Sequence, residues 1–347
     1  MLRQKLITRL VATLLFVFLL VAVTACTWLS GAEAPSAEVG QLLVYTTLRA
    51  DEVALYLADF QIAYPDIQVN VEQMTTAALL QRMLAERAAP QADLLWGVGL
   101  TSALYLEWND LLKRYAPVGL TRVDPRFRDA SQPPYWVGNS LSITAFCINP
   151  DEIARLGASP PRSWQDLLNP RYRRAILLAD PTKTDTGLMA VLGILDLFGE
   201  QGGWRYLDEL HRNIAFYPQG EADPCTLVDQ GEYAIGIAKT FDTLGNVQMI
   251  YPREKSGWEL SISALVRKDP ITPAAHTFID WSISDPVMRL YTRKSALTAA
   301  PTGLSAPVGY PVDPNSRLID RNILWSAANR ERILTEWVRR YGDKVRQ

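Results

Sequence analysis

The stretch DPTKTDTGLMAV, residues 180–191, groups side chains that could do chemistry. Its Asp-Thr-Gly triplet, residues 185–187, is the tripeptide that carries a catalytic carboxyl in aspartic proteases, where two such carboxyls share one proton. The same stretch places hydroxyls and one ammonium just before an apolar run, and the unpaired backbone N–H groups of a helix start bind anions. The two interpretations predict different classes of protein.

The surrounding residues favour the helix start. Five residues separate the apolar run AILLA (175–179) from Asp185, and LMAVLGILDLF follows with helical rather than strand character. No second Asp-Thr-Gly or Asp-Ser-Gly occurs in the chain. A side-chain oxygen of Thr184 or Asp185 would cap the helix, and the loop around it suits a phosphate, a phosphonate, a carboxylate or a metal-carrying anion. The ligand contacts that we expect from this loop are Thr182, Lys183, Thr184, Asp185 and Thr186.

Residues with strong nucleophilic or metal-binding chemistry are few. The two histidines, His211 and His276, lie far apart, and no C-x-x-C pair occurs. The sequence therefore predicts no zinc site, no His-based triad, no cofactor and no catalytic residue. Cys147 and Cys225 are an even pair that could form a disulfide in an oxidising compartment, or remain two buried thiols.

The first 26 residues have the pattern of an export signal. Three cations precede a charge-free apolar run, Val11 to Val23, and small residues lead to Cys26. This pattern resembles a bacterial lipoprotein signal, with 1–25 removed and Cys26 lipidated. An uncleaved membrane helix is the alternative, although the run is shorter than the about 20 residues that span a bilayer. We expect a cell-membrane, lipid-anchored protein that faces the outside of the cytoplasm.

Composition predicts a folded body behind a tether. Hydrophobic residues make up 48% of the chain, enough for a sizeable core, and the length allows two domains. Removal of the signal cations leaves a net charge of about −5, which does not indicate a nucleic-acid partner. Residues 26–40 are small and polar, and we interpret them as a flexible tether.

The elements that follow predict a parallel sheet. Short apolar or alternating runs at 41–48, 67–74 and 92–96 alternate with helical patterns at 51–64 and 76–87. This β-α-β-α-β order is typical of α/β proteins, whose ligands lie beyond the carboxyl ends of the strands. The contacts expected at those ends are Thr46, Thr47, Arg49, Gly97 and Val98.

A second unit repeats the β/α order. Strand patterns at 141–148, 175–179 and 234–238 alternate with helices at 163–167, 188–198 and 204–212, and the alternating run 258–267 could return to the first unit. We predict lobe 1 at 41–138 with a return segment at about 246–310, lobe 2 at 139–245, and a C-terminal helical segment at 311–347. Further expected ligand contacts are Asn139, Ser140, Gln219, Phe241 and Asp242.

Three sequence motifs, in their order along the chain, resemble those of a known family: SWQDLLNPRYRRAILLADPTKTDTG, GEQGGWRYLDELHRNIAFYPQGEADP and GEYAIGIAKTFD. The chain resembles bacterial extracellular solute-binding proteins, in the type II periplasmic group that contains ferric-iron, phosphonate and sugar-phosphate binders. The resemblance covers about 41–305. It implies an α/β fold of two lobes joined by hinge strands, which closes on a small solute, acts as a monomer and delivers the solute to an ATP-driven (ABC) permease.

The resemblance leaves the ligand open. Ferric binders of the transferrin-like kind use two adjacent tyrosines after the strand that corresponds to AIGIA, whereas this chain has Phe241-Asp242 there and no Tyr-Tyr pair. The phosphonate or sugar-phosphate branch matches better. Asp185, however, replaces the glycine of that branch's Ser-Gly-Thr phrase and would repel a phosphate if it points inward. It could instead pair with a ligand amine or with Lys183, or serve only as a cap.

A ligand-sensing lipoprotein and an enzyme are the two alternative functional classes. A lipoprotein that senses a ligand and signals to a membrane partner would have the same fold, because function resides in the site and its partners. An enzyme on this scaffold would need a nucleophile–base pair, and the sequence does not predict one. We therefore expect a lipid-anchored solute-binding protein for an anionic or zwitterionic solute.

Overall fold

The computed structural model describes residues 40–219, 224–239, 245–293, 297–305, 310–311 and 313–346. Residues 40–347 belong to one compact unit. The predictions for the export signal, for Cys26, for residues 27–39 of the tether and for Phe241 and Asp242 concern residues outside these ranges. No helix in the described part of the chain is long and apolar enough to span a membrane.

Helices and strands alternate along the described chain, as the sequence predicts. The strands are β1 Gly40–Thr46, β2 Ile67–Gln73, β3 Leu94–Gly99, β4 Leu112–Lys113, β5 Val137–Ile148, β6 Ile176–Leu178, β7 Ile214–Pro218, β8 Ile235–Lys239, β9 Gln248–Ile250, β10 Trp258–Val266, β11 Leu297–Thr298 and β12 Val345–Arg346. The α-helices are α1 Ala50–Ala63, α2 Thr76–Ala85, α3 Leu100–Trp108, α4 Pro150–Arg155, α5 Asp185–Phe198, α6 Glu200–Leu210, α7 Pro224–Asp229, α8 Pro273–Ser282, α9 Asp285–Tyr291 and α10 Ile323–Tyr341.

The sheet is mixed and runs in the order β12-β7-β6-β8-β5-β10-β3-β1-β2. The pairs β1–β2, β1–β3, β6–β7 and β6–β8 are parallel, which follows from the crossover helices between them. The two central strands, β5 and β10, are antiparallel to their neighbours and to each other. Two mostly parallel halves therefore meet at an antiparallel centre.

Two hydrophobic cores lie on either side of that centre. The first core gathers side chains of β1, β3, β10, α1, α8 and α9, and the second gathers those of β6, β8, α5 and α6. Strand β5 links them, because Val137 and Leu141 lie in the first core while Phe146 and Ile148 lie in the second. The chain crosses back between β9 and β10, since Ile250 pairs with Phe146. The fold is thus a two-lobed α/β fold joined by hinge strands.

The C-terminal segment is tied to both cores. Helix α10 places Ile333 and Trp337 in the second core, whereas its Ala327 belongs to the first. Strand β12 then pairs in parallel with β7. The sequence predicts a helical segment here, and it does not predict that the segment also supplies a strand to lobe 2.

Helix boundaries differ from the predictions where caps and prolines decide them. Helix α5 begins at Asp185 rather than at 188, because the Thr184 hydroxyl accepts the Gly187 N–H at 3.1 Å. Helices α8 and α9 are separate elements, since Pro286 lies in the first turn of α9.

Cys147 and Cys225 form a disulfide bond, the first of the two possibilities that the sequence leaves open. The bond joins β5 to α7 across 78 residues, and both cysteines are buried. It fixes the start of α7 against the crossing strand.

Candidate functional site

A cavity of about 480 Å³ lies between the two cores. It is framed by the carboxyl ends of strands and the starts of helices from both halves of the sheet, as expected for an α/β protein. The described residues that line it are Thr47, Leu48, Arg49, Gln73, Met74, Thr75, Thr76, Gly97, Gly99, Ser142, Ala179, Lys183, Thr184, Asp185, Thr186, Met189, Pro224, Lys239, Glu259 and Ser261.

The loop after β1 forms one wall. The Thr46 hydroxyl is fully buried and donates to the Trp96 carbonyl at 2.6 Å, so it shapes the loop and does not line the cavity. Thr47 does line it, with its hydroxyl donating to the Gly97 carbonyl at 2.9 Å. Arg49 precedes α1 and lines the same wall.

Glycine is required at position 97, where the first wall meets β3. Its φ is +70°, a conformation that disfavours side chains, and a Cβ there would lie 2.3 Å from the Leu48 side chain. Val98, next in the strand, is fully buried in the first core and does not line the cavity.

In the described part of the chain, five helices begin at the cavity: α1, α2, α3, α5 and the short α7. Thr75 caps α2 by accepting the Ala78 N–H at 3.3 Å. Glu259 performs the equivalent role for α3, accepting the Thr101 N–H at 3.3 Å and its hydroxyl at 2.7 Å. Helix starts carry partial positive charge, so their convergence makes this region favourable for an anion.

Asp180 organises the loop between β6 and α5. Its fully enclosed carboxylate accepts the Thr182 hydroxyl at 2.7 Å and the Gln219 amide at 2.8 Å, while its carbonyl accepts the Thr184 hydroxyl at 3.1 Å. Thr182 and Gln219 therefore bond to Asp180 and do not line the main cavity. Thr184, Lys183 and Thr186 do line it.

The glycine of the Asp-Thr-Gly triplet has a packing role. A Cβ at Gly187 would lie 2.2 Å from the Ala179 carbonyl oxygen, so only glycine lets α5 start this close to the end of β6. The triplet belongs to a helix start, which is the second of the two interpretations of this stretch. The Asp185 side chain crosses the cavity and lies against Gly99.

Burial raises the pKa of Asp185 and outweighs the lowering effect of the nearby Thr76, Arg330, Lys239 and Gly99. Asp185 keeps part of its surface exposed to the cavity. Thr184, not Asp185, caps the helix, and the Asp185 carboxyl lies close to Gly99 on the opposite side of the cavity. Helix capping, one of the roles that the sequence leaves open for Asp185, is therefore performed by Thr184.

The hinge strands supply the cavity floor. On β10, Glu259 and Ser261 are two residues apart and share a face, and β5 places Ser142 and Ser140 directly opposite them. Burial raises the pKa of Glu259, while Arg321, with Nη1 3.7 Å from Glu259 Oε2, lowers it. The period-two spacing of Glu259, Ser261 and Ser263 in WELSISALVR could have indicated this floor from sequence.

Asn139 and Ser140 line a small side pocket of about 20 Å³ that shares Ser142, Lys239 and Ser261 with the main cavity. The Asn139 amide donates to the Ser282 carbonyl at 3.1 Å and accepts the Ser263 hydroxyl at 3.0 Å, so both of its ends are engaged in the protein.

The cations among the described lining residues of the main cavity are Arg49, Lys183 and Lys239. Sequence reasoning missed Lys239, which ends β8 and could have been found by the same strand-end rule that indicates Thr47. It likewise missed Gln73 to Thr76, which follow the carboxyl end of β2.

The described side chains that line the cavity do not match a transition-metal site. Within the described ranges, no group of three or more His, Cys, Asp or Glu side chains could hold a metal ion. The cavity lining given above contains hydroxyls, cations and two carboxyls, and no tyrosine is among those residues.

The sequence matches the model of a known protein family. The model of a family described as "Bacterial extracellular solute-binding protein" matches residues 102–323. That span includes the loop at 180–187, both hinge strands and the start of α10.

Individual proteins of known sequence or structure are similar over most of the chain. A probable ABC transporter periplasmic-binding protein, y4fP of Sinorhizobium fredii, is 27% identical over 291 residues, 78% of this chain and 77% of that protein. The structure of AfuA from Actinobacillus pleuropneumoniae with fructose-6-phosphate bound has a TM-score of 0.80 at 23% identity, covering 87% of this chain and 99% of AfuA. Iron-bound HitA from Pseudomonas aeruginosa has a TM-score of 0.70 at 19% identity, covering 86% and 99%.

Proposed function

Because this chain belongs to the family of bacterial extracellular solute-binding proteins, we propose that its cavity captures a small anionic or zwitterionic solute of the phosphonate or sugar-phosphate type. The protein is the extracytoplasmic, solute-binding component of an ABC importer, and its partners are a small molecule and a permease. The lobes would close over the solute by bending at β5 and at the segment between β9 and β10.

One observation supports an anion as the ligand of this cavity. Among the described residues, the starts of α1, α2, α3, α5 and α7 and the cations Arg49, Lys183 and Lys239 lie at a single cavity between the lobes. Hydroxyls of Thr75 and Thr186 add donors of the kind that phosphate oxygens accept. The likeness to the AfuA structure with bound fructose-6-phosphate supports the same ligand class for this chain.

The test of the ligand class is a thermal-shift screen of the exported protein with fructose 6-phosphate, other sugar phosphates, alkyl and aminoalkyl phosphonates, inorganic phosphate, polyamines and Fe(III). A ligand at about 100 times its dissociation constant adds roughly 2.7 kcal/mol to the free energy of unfolding, a readily measured shift. Stabilisation by a phosphorylated or phosphonate compound, confirmed by calorimetric titration, is the expected result. Stabilisation by Fe(III) alone, with a phenolate charge-transfer band, would replace this proposal with the ferric one.

Lys239→Ala tests the site itself. We expect the affinity for the phosphorylated hit to fall about tenfold or more, because a charge-assisted hydrogen bond contributes roughly 1.5–3 kcal/mol. Arg289→Ala is the matched control, since Arg289 is an exposed cation in the last turn of α9 and does not line the cavity. Equal affinity in wild type and Lys239→Ala would contradict the site assignment.

Lipid anchoring at Cys26 is part of the proposal, carried by the export pattern of residues 1–26. Cys26→Ala is expected to move the protein from the membrane fraction to the soluble one and to remove an acyl-modified N-terminal peptide from its mass spectrum. Persistence in the membrane fraction at unchanged mass would favour the uncleaved membrane helix.

A ligand-sensing lipoprotein is the second candidate for the downstream role. Uptake of the radiolabelled hit by proteoliposomes that contain the cognate permease and its ATPase distinguishes the two, because a sensor would bind the solute without supporting its uptake.

A further inference from the structure

The Arg321 side chain, two residues before α10, is fully buried. Its Nε donates to Asp196 Oδ2 of α5 at 3.3 Å, and its Nη1 donates to the carbonyl of Trp258, the first residue of β10. Nη1 also lies 3.7 Å from Glu259 Oε2, and the guanidinium carbon lies 5.7 Å from the centre of the Trp258 ring. One buried cation therefore lies between two acidic side chains from different elements.

The two acidic partners of Arg321 differ in their relation to the cavity. Asp196 and Glu259 both have side chains that are only 9% exposed. Glu259 lines the cavity, and its carboxylate accepts the Thr101 N–H and hydroxyl at the start of α3. The described residues that line the cavity include neither Asp196, near the end of α5, nor Arg321 itself. An effect of Arg321 on a bound solute would therefore act through Glu259.

The segment that carries Arg321 is bonded to the chain that leads into β10. The Ser256 N–H donates to the Arg317 carbonyl at 2.7 Å, and the Ile319 N–H donates to the Ser256 carbonyl at 3.0 Å. The Trp258 indole N–H donates to the Ile319 carbonyl at 3.0 Å. These bonds hold the backbone before Arg321 alongside residues 256–258, so the guanidinium has a fixed place beside the cavity floor.

We propose that Arg321 is a positioning residue for anion capture: it offsets the charge of Glu259 and holds that carboxylate at the start of α3, so that Glu259 does not repel an anionic solute. The inference deepens the proposed function and rests on it for the sign of the ligand's charge. Without Arg321, Glu259 would be a buried carboxylate that has lost its cation. At an effective dielectric constant of about 20, such a charge within about 8 Å of a bound anion weakens binding tenfold or more.

The first test measures the dissociation constant of fructose 6-phosphate for the exported protein and its variants. Arg321→Met removes the charge and retains a long side chain, and we expect it to raise the dissociation constant about tenfold or more. Addition of Glu259→Gln to Arg321→Met should return the value to within about threefold of wild type, because it removes the uncompensated charge from the cavity. Addition of Asp196→Asn instead should not, because Asp196 is not among the lining residues. Equal recovery by the two additions would indicate a merely structural role and overturn the proposal.

Arg332→Met is the matched control for the loss of an ion pair. Arg332 also pairs with an acidic side chain, Glu200, but 51% of the Arg332 side chain is exposed. Exposed ion pairs contribute little to stability, so Arg332→Met should leave the dissociation constant and the melting temperature near their wild-type values.

Arg321→Lys keeps the proposal testable if Arg321→Met does not fold. The ammonium retains the charge but lacks the planar fork of N–H groups that reaches both acids. We expect the dissociation constant to rise about threefold, and we expect Glu259→Gln, but not Asp196→Asn, to reverse that rise. A wild-type dissociation constant in Arg321→Lys would contradict positioning by the guanidinium.

The second test needs no ligand. The Thr101 N–H donates to Glu259 Oε1 at 3.3 Å, whereas the Ala78 N–H at the start of α2 donates to the Thr75 hydroxyl, also at 3.3 Å. In Arg321→Met the uncompensated carboxylate gains hydration by turning from α3 into the cavity. We therefore expect amide hydrogen exchange at Thr101 to speed up about tenfold relative to exchange at Ala78. A general loss of stability would speed up both amides, so an unchanged ratio of the two rates would contradict the positioning role.

The outcomes separate the role of Arg321 from the ligand class. If the exchange ratio changes in Arg321→Met while neither fructose 6-phosphate nor inorganic phosphate binds wild type, the ligand class is wrong and Arg321 still holds Glu259 in place. If fructose 6-phosphate binds wild type and Arg321→Met equally well, the ligand class stands and the positioning role is wrong.

Discussion

The carboxyl groups of Asp185 and Glu259 approach Gly99 from two different elements. Burial is the largest influence on each, and it raises both pKa values above the ordinary 3.8 and 4.5. The folded protein therefore binds these protons more tightly than the unfolded chain does. The stability that they contribute is full below the ordinary pKa and is lost as pH rises through the raised pKa.

This linkage gives a pH-dependent prediction for Asp185→Asn. The amide does not titrate, so the variant should gain stability over wild type as pH rises through the raised pKa of Asp185, and the difference should shrink as pH falls below it. Urea unfolding of both proteins at a series of pH values measures the difference in their free energies of unfolding. A difference that increases as pH falls would contradict the burial of this carboxyl.

At the residue scale, chain position alone indicates some of the residues that line the cavity, while their contact with a ligand stays a prediction. Lys183, Thr184, Asp185 and Thr186 follow a strand and start a helix, and all four line the cavity. Thr182 and Gln219 obey the same rule, yet they bond to Asp180, whose carboxylate offers a nearer partner. Such a choice between local partners depends on side-chain geometry that spacing does not specify.

Helix α5 rests directly on the hinge. A Cβ on Gly193 would lie 2.6 Å from the Gly257 Cα, just before β10 begins, so the two backbones are in contact. The helix that carries Asp185 is therefore positioned by the same segment that joins the lobes.

Gly193→Ala should accordingly destabilise the protein by about 1–3 kcal/mol, because backbone atoms of Gly257 cannot move aside as a side chain would. Gly202→Ala in α6 is the control, since its Cβ would meet Phe198 at an ordinary 3.4 Å, and alanine in a helix interior should add roughly 0.5–1 kcal/mol. Chemical denaturation of both variants measures the difference, and equal stabilities would contradict the close contact.

Most helices and strands could be predicted from the spacing of hydrophobic residues. The cavity floor could not be predicted from the rule that ligands lie at the carboxyl ends of strands, because β5 and β10 supply it. The runs for β1, β2 and β3 are short, apolar or alternating, and bounded by turns, as are their helices. The pairing of β5 with β10 depends on contacts between residues more than 100 positions apart, which local pattern does not encode. Sequence analysis did not predict β12, because a strand of two residues is too short to show an alternating hydrophobic pattern.

At the scale of the whole molecule, the Cys147–Cys225 bond ties the crossing strand to the helix that begins at Pro224 in the cavity wall. Replacement of both cysteines by serine should lower the free energy of unfolding by about 2–4 kcal/mol, because the bond closes a loop of 78 residues in the unfolded chain. Urea denaturation with and without reductant measures it. Reductant should lower the midpoint of wild type and leave the double variant unchanged, whereas equal midpoints for all four samples would contradict a stabilising bond.

The path of the chain between the two cores has a consequence for folding order. Ser263 bonds to Asn139 124 residues earlier, so the first core lacks its β10 strand until the second lobe has been synthesised. Most of the second core, in contrast, comes from one continuous stretch between β5 and β8. Because long-range pairing is slow and a nearly contiguous core forms sooner, we expect the second lobe to fold first and to serve as the template on which the first lobe completes its sheet.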